Sequence, residues 1–167
     1  VDNATTGVST VLANLDLTAG DRILVTDHGY NACSNAARYF ASRASAEVDL
    51  INLPFPGSDA NEFVEKILGA CTSRTRLLLI DHITSPTALV MPLEAIIPAV
   101  QQRGIQVLVD GAHAPGMLPL RLAELGADYY TGNCHKWMCA PKGTAFLYMR
   151  PEHQSKLHPL TISHGMN

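Results

Sequence analysis

The sequence predicts an α/β domain built on a mainly parallel sheet with one antiparallel strand. Three observations carry this. Six short apolar runs recur along the chain, and most are near-continuous rather than alternating, as strands buried on both faces are. Helix-like patterns lie between them, which is the rhythm of a parallel sheet with crossover helices. The last two runs stand too close together for a full helix, so an antiparallel return or a tight irregular loop joins them.

The elements follow in order. A first helix carries Val8, Val11, Leu12 and Leu15 at helical spacing after Thr5 and Thr6. A strand over Asp21–Thr26 leads to an Ala-rich helix over Tyr30–Ser45 and a strand over Glu47–Asn52. The helix over Asp59–Ala70 opens with Asp59 and Glu62 in a capping-box pattern. A strand over Arg76–Asp81 precedes a helix over Leu93–Arg103, which Gly104 stops. Strands over Ile105–Asp110, Ala127–Gly132 and Thr144–Met149 complete the set. The sequence shows no internal repeat, low-complexity stretch or domain linker.

With 167 residues, a net charge of −3 and 47% hydrophobic residues, the chain fits one globular domain with its own core. Only 16% of residues are charged, which predicts surface buried against a further segment or a second subunit. The mildly acidic balance, without a Lys/Arg run, argues against nucleic-acid or membrane-surface binding. Four irregularly spaced cysteines suit reduced thiols in a cytoplasmic protein. No signal peptide and no membrane-length apolar run is present. The abrupt start at Val1 and stop at Asn167 predict a piece of a longer protein.

Ligands gather at the carboxyl ends of strands in open α/β sheets. Four predicted strand ends carry reactive groups: Thr26-Asp27-His28, Asp81-His82, Asp110 with His113, and Thr131 through Lys136. Asp110 reads either as a cap for the next turn or as a buried carboxylate held ionised by a cation. Asn3, Thr5 and Thr6 read as an ordinary N-cap or as a phosphate-binding helix start. His28 is a hydrogen-bonded loop residue or a ring that stacks on a flat ligand. Thr84 and Ser85 form a turn or reach a ligand's polar edge. In the stretch TGNCHKWMCAPKG, Cys134, His135 and Cys139 have zinc-like spacing but fall short of four ligands. The other reading is a nucleophilic lysine, Lys136 or Lys142. No G-x-G-x-x-G follows a strand, which disfavours a nicotinamide dehydrogenase.

Taken in order, NATT, DH, HITSPT, VDGAH, GNCHKW and APKGTAFLY resemble the pyridoxal-phosphate enzymes of the class V aminotransferase family, which includes the cysteine desulfurases. The isopenicillin N epimerase-like branch is the most similar, and the resemblance spans nearly the whole chain. It implies the fold type I architecture: a three-layer large domain around a mainly parallel, seven-stranded sheet. It also implies pyridoxal 5'-phosphate as cofactor, no metal, an amino-acid-like substrate and a homodimer with its active site at the subunit interface.

The same resemblance assigns roles. Lys136 matches the lysine that forms a Schiff base with the cofactor and later carries protons at Cα. Asp110 matches the carboxylate that pairs with the pyridine nitrogen, and His28 the imidazole on the ring face. His113 stands near the phenolic oxygen, which Ser85 also approaches. Ala4, Thr5 and Thr6 match the turn that cradles the phosphate, aided by His135, by Asn133 in place of a serine found in desulfurases, and by Thr131. Family members are longer, so residues 1–167 are expected to be a single cofactor-binding large domain, with an N-terminal segment and a C-terminal small domain lying outside. The arginine that binds the substrate carboxylate would lie outside too. None of the four cysteines matches the sulfur-accepting cysteine of desulfurases. The expected function is an enzyme that acts on an amino acid or derivative through a lysine aldimine, most like the epimerase, with a transaminase sharing the same steps. The alternatives are a cysteine desulfurase or C–S lyase, and a truncated, non-catalytic cofactor-binding fragment.

Overall fold

The computed structural model describes residues 1–56, 59–162 and 164. The end of the expected domain, at Asn167, lies outside the described residues. Strands β1 (Arg22–Thr26), β2 (Glu47–Ile51), β3 (Thr75–Asp81), β4 (Gln106–Asp110), β5 (Tyr129–Asn133) and β6 (Ala145–Met149) form one sheet in the order β2-β1-β3-β4-β5-β6. All neighbours run parallel except β5 and β6, the antiparallel return that the short spacing predicted. Six strands are thus found among the described residues, one fewer than the resemblance implied.

The four long helices are α1 (Ala4–Ala13), α2 (Asn31–Arg43), α3 (Ala60–Ala70) and α4 (Leu93–Gln101). Their caps explain their limits. Asn3 caps α1 by accepting from the Thr6 N–H at 2.8 Å, and Asp59 caps α3 by accepting from the Asn61 N–H at 3.0 Å. Gly104, at φ +73°, turns the chain out of α4. Leu15 falls just beyond α1 yet still packs on the core. Two four-residue helices, α5 (Leu122–Leu125) and α6 (Pro151–Gln154), are too short to show a period in the sequence.

The alternation of side chains along the strands builds three layers. On β3, Leu77 and Leu79 face one side, against Val8, Val11 and Leu12 of α1 and Cys33, Ala37 and Ala41 of α2. Leu78 and Ile80 face the other, against Phe63 and Ile67 of α3 and Leu93, Ile96 and Ile97 of α4. Each fully buried aliphatic chain contributes about 1.5–3 kcal/mol. Between these two cores the middles of β1, β3 and β4 are apolar, up to their carboxyl ends. There the sequence turns polar, with Thr26, Asp81, Asp110 and Asn133 at the same edge of the sheet.

Candidate active site

The strand ends set the frame. Asp81 and Asp110 are direct register partners at the ends of β3 and β4, and both are buried. Asp110 accepts the Ala112 N–H at 3.0 Å on one oxygen and the Cys33 thiol at 3.1 Å on the other. The turn-capping reading of Asp110 therefore applies, and the carboxylate is buried. Cys33 comes from α2, where burial and the neighbouring Asp110 push its thiol far up, so it stays a neutral donor.

Lys136 sits just past β5. Its Nζ lies 3.0 Å from His113 Nε2, and the Trp137 indole donates to His113 Nδ1 at 3.2 Å. Burial holds the Lys136 amine below the ordinary lysine range, opposed by Asp110, Asp81 and Cys33. Burial, then Lys136, holds His113 below the usual imidazole range, opposed by Asp110. Lys142, the rival, is exposed.

The start of α1 borders this edge. The Ala4 N–H donates to Asn133 Oδ1 at 2.8 Å, tying the first turn to the end of β5. With that oxygen engaged, Asn133 offers a ligand its amide N–H₂. Thr131 is fully buried, and its hydroxyl donates to the Phe146 carbonyl at 2.9 Å. A Cβ on Gly7 would collide with that hydroxyl, so only glycine lets α1 sit this low on β5. Thr5 and Thr6 stay half-buried at the helix start, and His135 is half-buried with Nδ1 3.3 Å from the Thr144 carbonyl oxygen.

His28 is buried past β1. Its Nδ1 lies 2.8 Å from Thr87 Oγ1 and its Nε2 3.3 Å from the Leu53 carbonyl, so both edges of the ring are tethered. Thr84 extends the tether through Thr87 at 2.8 Å. Ser85 is exposed, and its backbone N–H favours the ionised form of the Asp81 carboxyl. Among the described residues no group of three or more His, Cys, Asp or Glu side chains could hold a metal ion, so Cys134, His135 and Cys139 form no such site.

The donor set suits one cofactor chemistry: an amine, a buried carboxylate, a tethered imidazole and a ten-residue helix whose positive end opens on the same edge. The sequence model of the aminotransferase class-V family matches residues 1–167. The chain belongs to the aminotransferase class-V family.

Isopenicillin N epimerase of Streptomyces clavuligerus is 36% identical over 161 residues, which covers 96% of this chain and 40% of that protein. The putative L-cysteine desulfhydrase 1 of Oryza sativa subsp. japonica is 33% identical, covering 98% of this chain and 37% of that protein. The cystine C–S lyase C-DES, solved with its reaction product cysteine persulfide, matches with a TM-score of 0.88 and 30% identity over 96% of this chain and 43% of that one. The chain thus spans well under half the length of these class V relatives. The family is pyridoxal-phosphate-dependent, and a mutant of C-DES has been solved with glycine covalently linked to that cofactor.

Three residues at this edge were not assigned to the site from the sequence: Cys33, Thr87 and Trp137. Asp81 stood among the predicted strand ends, as Asp110 did, but without a role. Burial, and then the Asp110 charge, push its carboxyl up to about 8, against the N–H groups of Tyr30 and Ser85 and the Lys136 charge, which favour ionisation. The folded chain therefore holds a proton that the unfolded chain gives up near its ordinary value of 3.8. The folded state binds more protons between those values, so stability falls as pH rises through that window. Asp81→Asn keeps an acceptor for both N–H groups and removes the titration. Denaturant melts at pH 5, 7 and 9 should show a shallower decline for the variant; parallel declines would refute the assignment.

Proposed function

We propose that this chain is the cofactor-binding large domain of a pyridoxal-phosphate enzyme that acts on an amino acid or an amino-acid derivative. The observation that carries the reading is Lys136 Nζ set against His113, on the edge where Asp110 lies buried. When bound, the cofactor supplies an electron sink for charge developing at the substrate's Cα.

The chain's own residues take the remaining roles. Lys136 attaches the cofactor and then moves the Cα proton. Asp110, kept in place by Cys33 and the Ala112 N–H, holds the proton on the ring nitrogen. His28, tethered at both edges, covers one ring face. His113 donates toward the phenolic oxygen, with Ser85 nearby. The first turn of α1 at Ala4, Thr5 and Thr6, with Asn133, His135 and Thr131, surrounds the phosphate. Met117, Trp137 and Met138 are exposed apolar side chains near Lys136, which supports a covering surface such as the second subunit of a homodimer.

The relatives support two outcomes for the substrate. The epimerase at 36% identity favours loss and return of the Cα proton, and we take this as the first reading. The desulfhydrases and the C–S lyase favour cleavage at the β-carbon to sulfur bond. Both share the proton transfer assigned to Lys136. Incubation of the full-length protein with L-amino acids in deuterated water separates them: deuterium at Cα with inverted product marks the epimerase, and sulfide release marks the lyase.

Asp110→Asn tests the carboxylate. The amide fills the same space but carries no charge. Activity should fall roughly a hundredfold or more, as when a charge-stabilising group is removed. The cofactor's Kd should rise less than about tenfold, which is ~1.4 kcal/mol. Steady-state rates and fluorescence titration of the cofactor give the two numbers, and equal losses would refute the ring-nitrogen role.

A further inference from the structure

Trp137 has no catalytic role above, yet its indole N–H points at the site. It donates to His113 Nδ1 at 3.2 Å. An indole N–H can only donate, so His113 Nδ1 must accept. That requirement excludes the imidazolium and also the tautomer with its proton on Nδ1. The remaining neutral ring carries its proton on Nε2. Nε2 faces Lys136 Nζ at 3.0 Å. An ammonium there would set donor against donor, whereas a free amine accepts and satisfies the pair. The loop is built for this contact: Gly116 adopts φ +88°, and a Cβ there would stand 2.7 Å from the Trp137 carbonyl oxygen.

We propose that Trp137 is a positioning residue: it locks His113 in the Nε2–H tautomer, and through it presents Lys136 as a free amine ready to attack an aldehyde. This rests on the cofactor reading above. In the step served, the amine nitrogen bonds to the aldehyde carbon, and the carbonyl oxygen leaves as water with the two amine protons. Once the amine is engaged, the same Nε2–H remains as a donor toward the cofactor's phenolic oxygen, so one tautomer serves both stages. The titratable groups that face His113 are Lys136 and Asp110, and neither replaces the direction that the indole imposes.

The test uses the full-length protein, stripped of cofactor and labelled with ¹⁵N-histidine. In the wild type, two-bond ¹⁵N–¹H correlations should place the His113 proton on Nε2. In Trp137→Phe, checked for its fold by circular dichroism, His113 should become a mixture of tautomers. The rate at which pyridoxal phosphate is captured covalently at pH 7, read by borohydride trapping, should drop about twofold to tenfold, the value of one hydrogen bond. It should approach the wild-type rate at alkaline pH, where the amine is free without help. A wild-type proton on Nδ1 overturns the proposal, and so does a Trp137→Phe variant with an unchanged tautomer or an unchanged rate profile. Failure to take up the cofactor at all would count against the cofactor reading instead, because the tautomer is measured without it.

Discussion

Lys136→Ala in the full-length protein should abolish covalent capture of pyridoxal phosphate and lower kcat/KM by about three orders of magnitude, within the range assigned to a positioned proton-transfer group and nucleophile. The effect is large because two jobs fall on one nitrogen. The loss should leave the fold almost untouched. Lys136 is half-buried on the turn between β5 and β6, and its amine bonds only to His113 among the described residues. The melting temperature should therefore move little. The cofactor should still bind without a covalent link, held by the start of α1 and by Asp110. Peptide mapping after borohydride reduction checks the assignment: the label should sit on the peptide's Lys136 in the wild type and vanish in the variant. Lys142→Ala should behave as wild type, because Lys142 is exposed in a turn that ends at Gly143, φ +83°. A label on Lys142 would overturn the site.

All six strands and the four long helices were legible in the sequence, for a shared reason. The apolar runs of β1, β3 and β4 are buried on both faces, and no other element of a globular chain needs that pattern over five to seven residues. The helix stops at Gly104 and starts at Asp59 follow from backbone sterics and orphan N–H groups, which are local. The short helices α5 and α6 were not legible because four residues complete barely one turn.

The site divides the same way. Asp110 and Lys136 stood out through their motifs. The contacts that tune them did not, because each joins distant parts of the chain. Cys33 meets Asp110 across 77 residues, and His28 meets Thr87 across 59. The role of Trp137 depends on which nitrogen of His113 it reaches. Trp137 is exposed, with its N–H engaged at the site. The pairing of Asp81 with Asp110 needed the register of β3 on β4, which no pattern within either strand specifies.

Gly111→Ala should be strongly destabilising. A Cβ at Gly111 would collide with Cε1, Cζ and the hydroxyl of Tyr130. Tyr130 cannot retreat. It is fully buried, its hydroxyl lies 2.8 Å from His82 Nδ1, and its ring stacks on Phe146 at 6.2 Å between centroids. The overlap is with the ring itself rather than with the end of a flexible chain, so the strand must shift. Overpacking of this kind costs about 1–3 kcal/mol, which lowers the melting temperature of a chain this size by roughly 2–12 °C. The shift has a functional cost as well. Gly111 lies between Asp110 and Ala112, whose N–H fixes one oxygen of that carboxylate. Moving Gly111 turns the carboxylate away from Cys33, so activity should fall together with stability. The pairing of Gly111→Ala with Tyr130→Leu separates the two causes. If the clash with the ring is responsible, the double variant should be more stable than the sum of the single losses, since the second change removes the atoms that the first one strikes. Additive losses would mean that the glycine is needed for its backbone and not for the space it leaves.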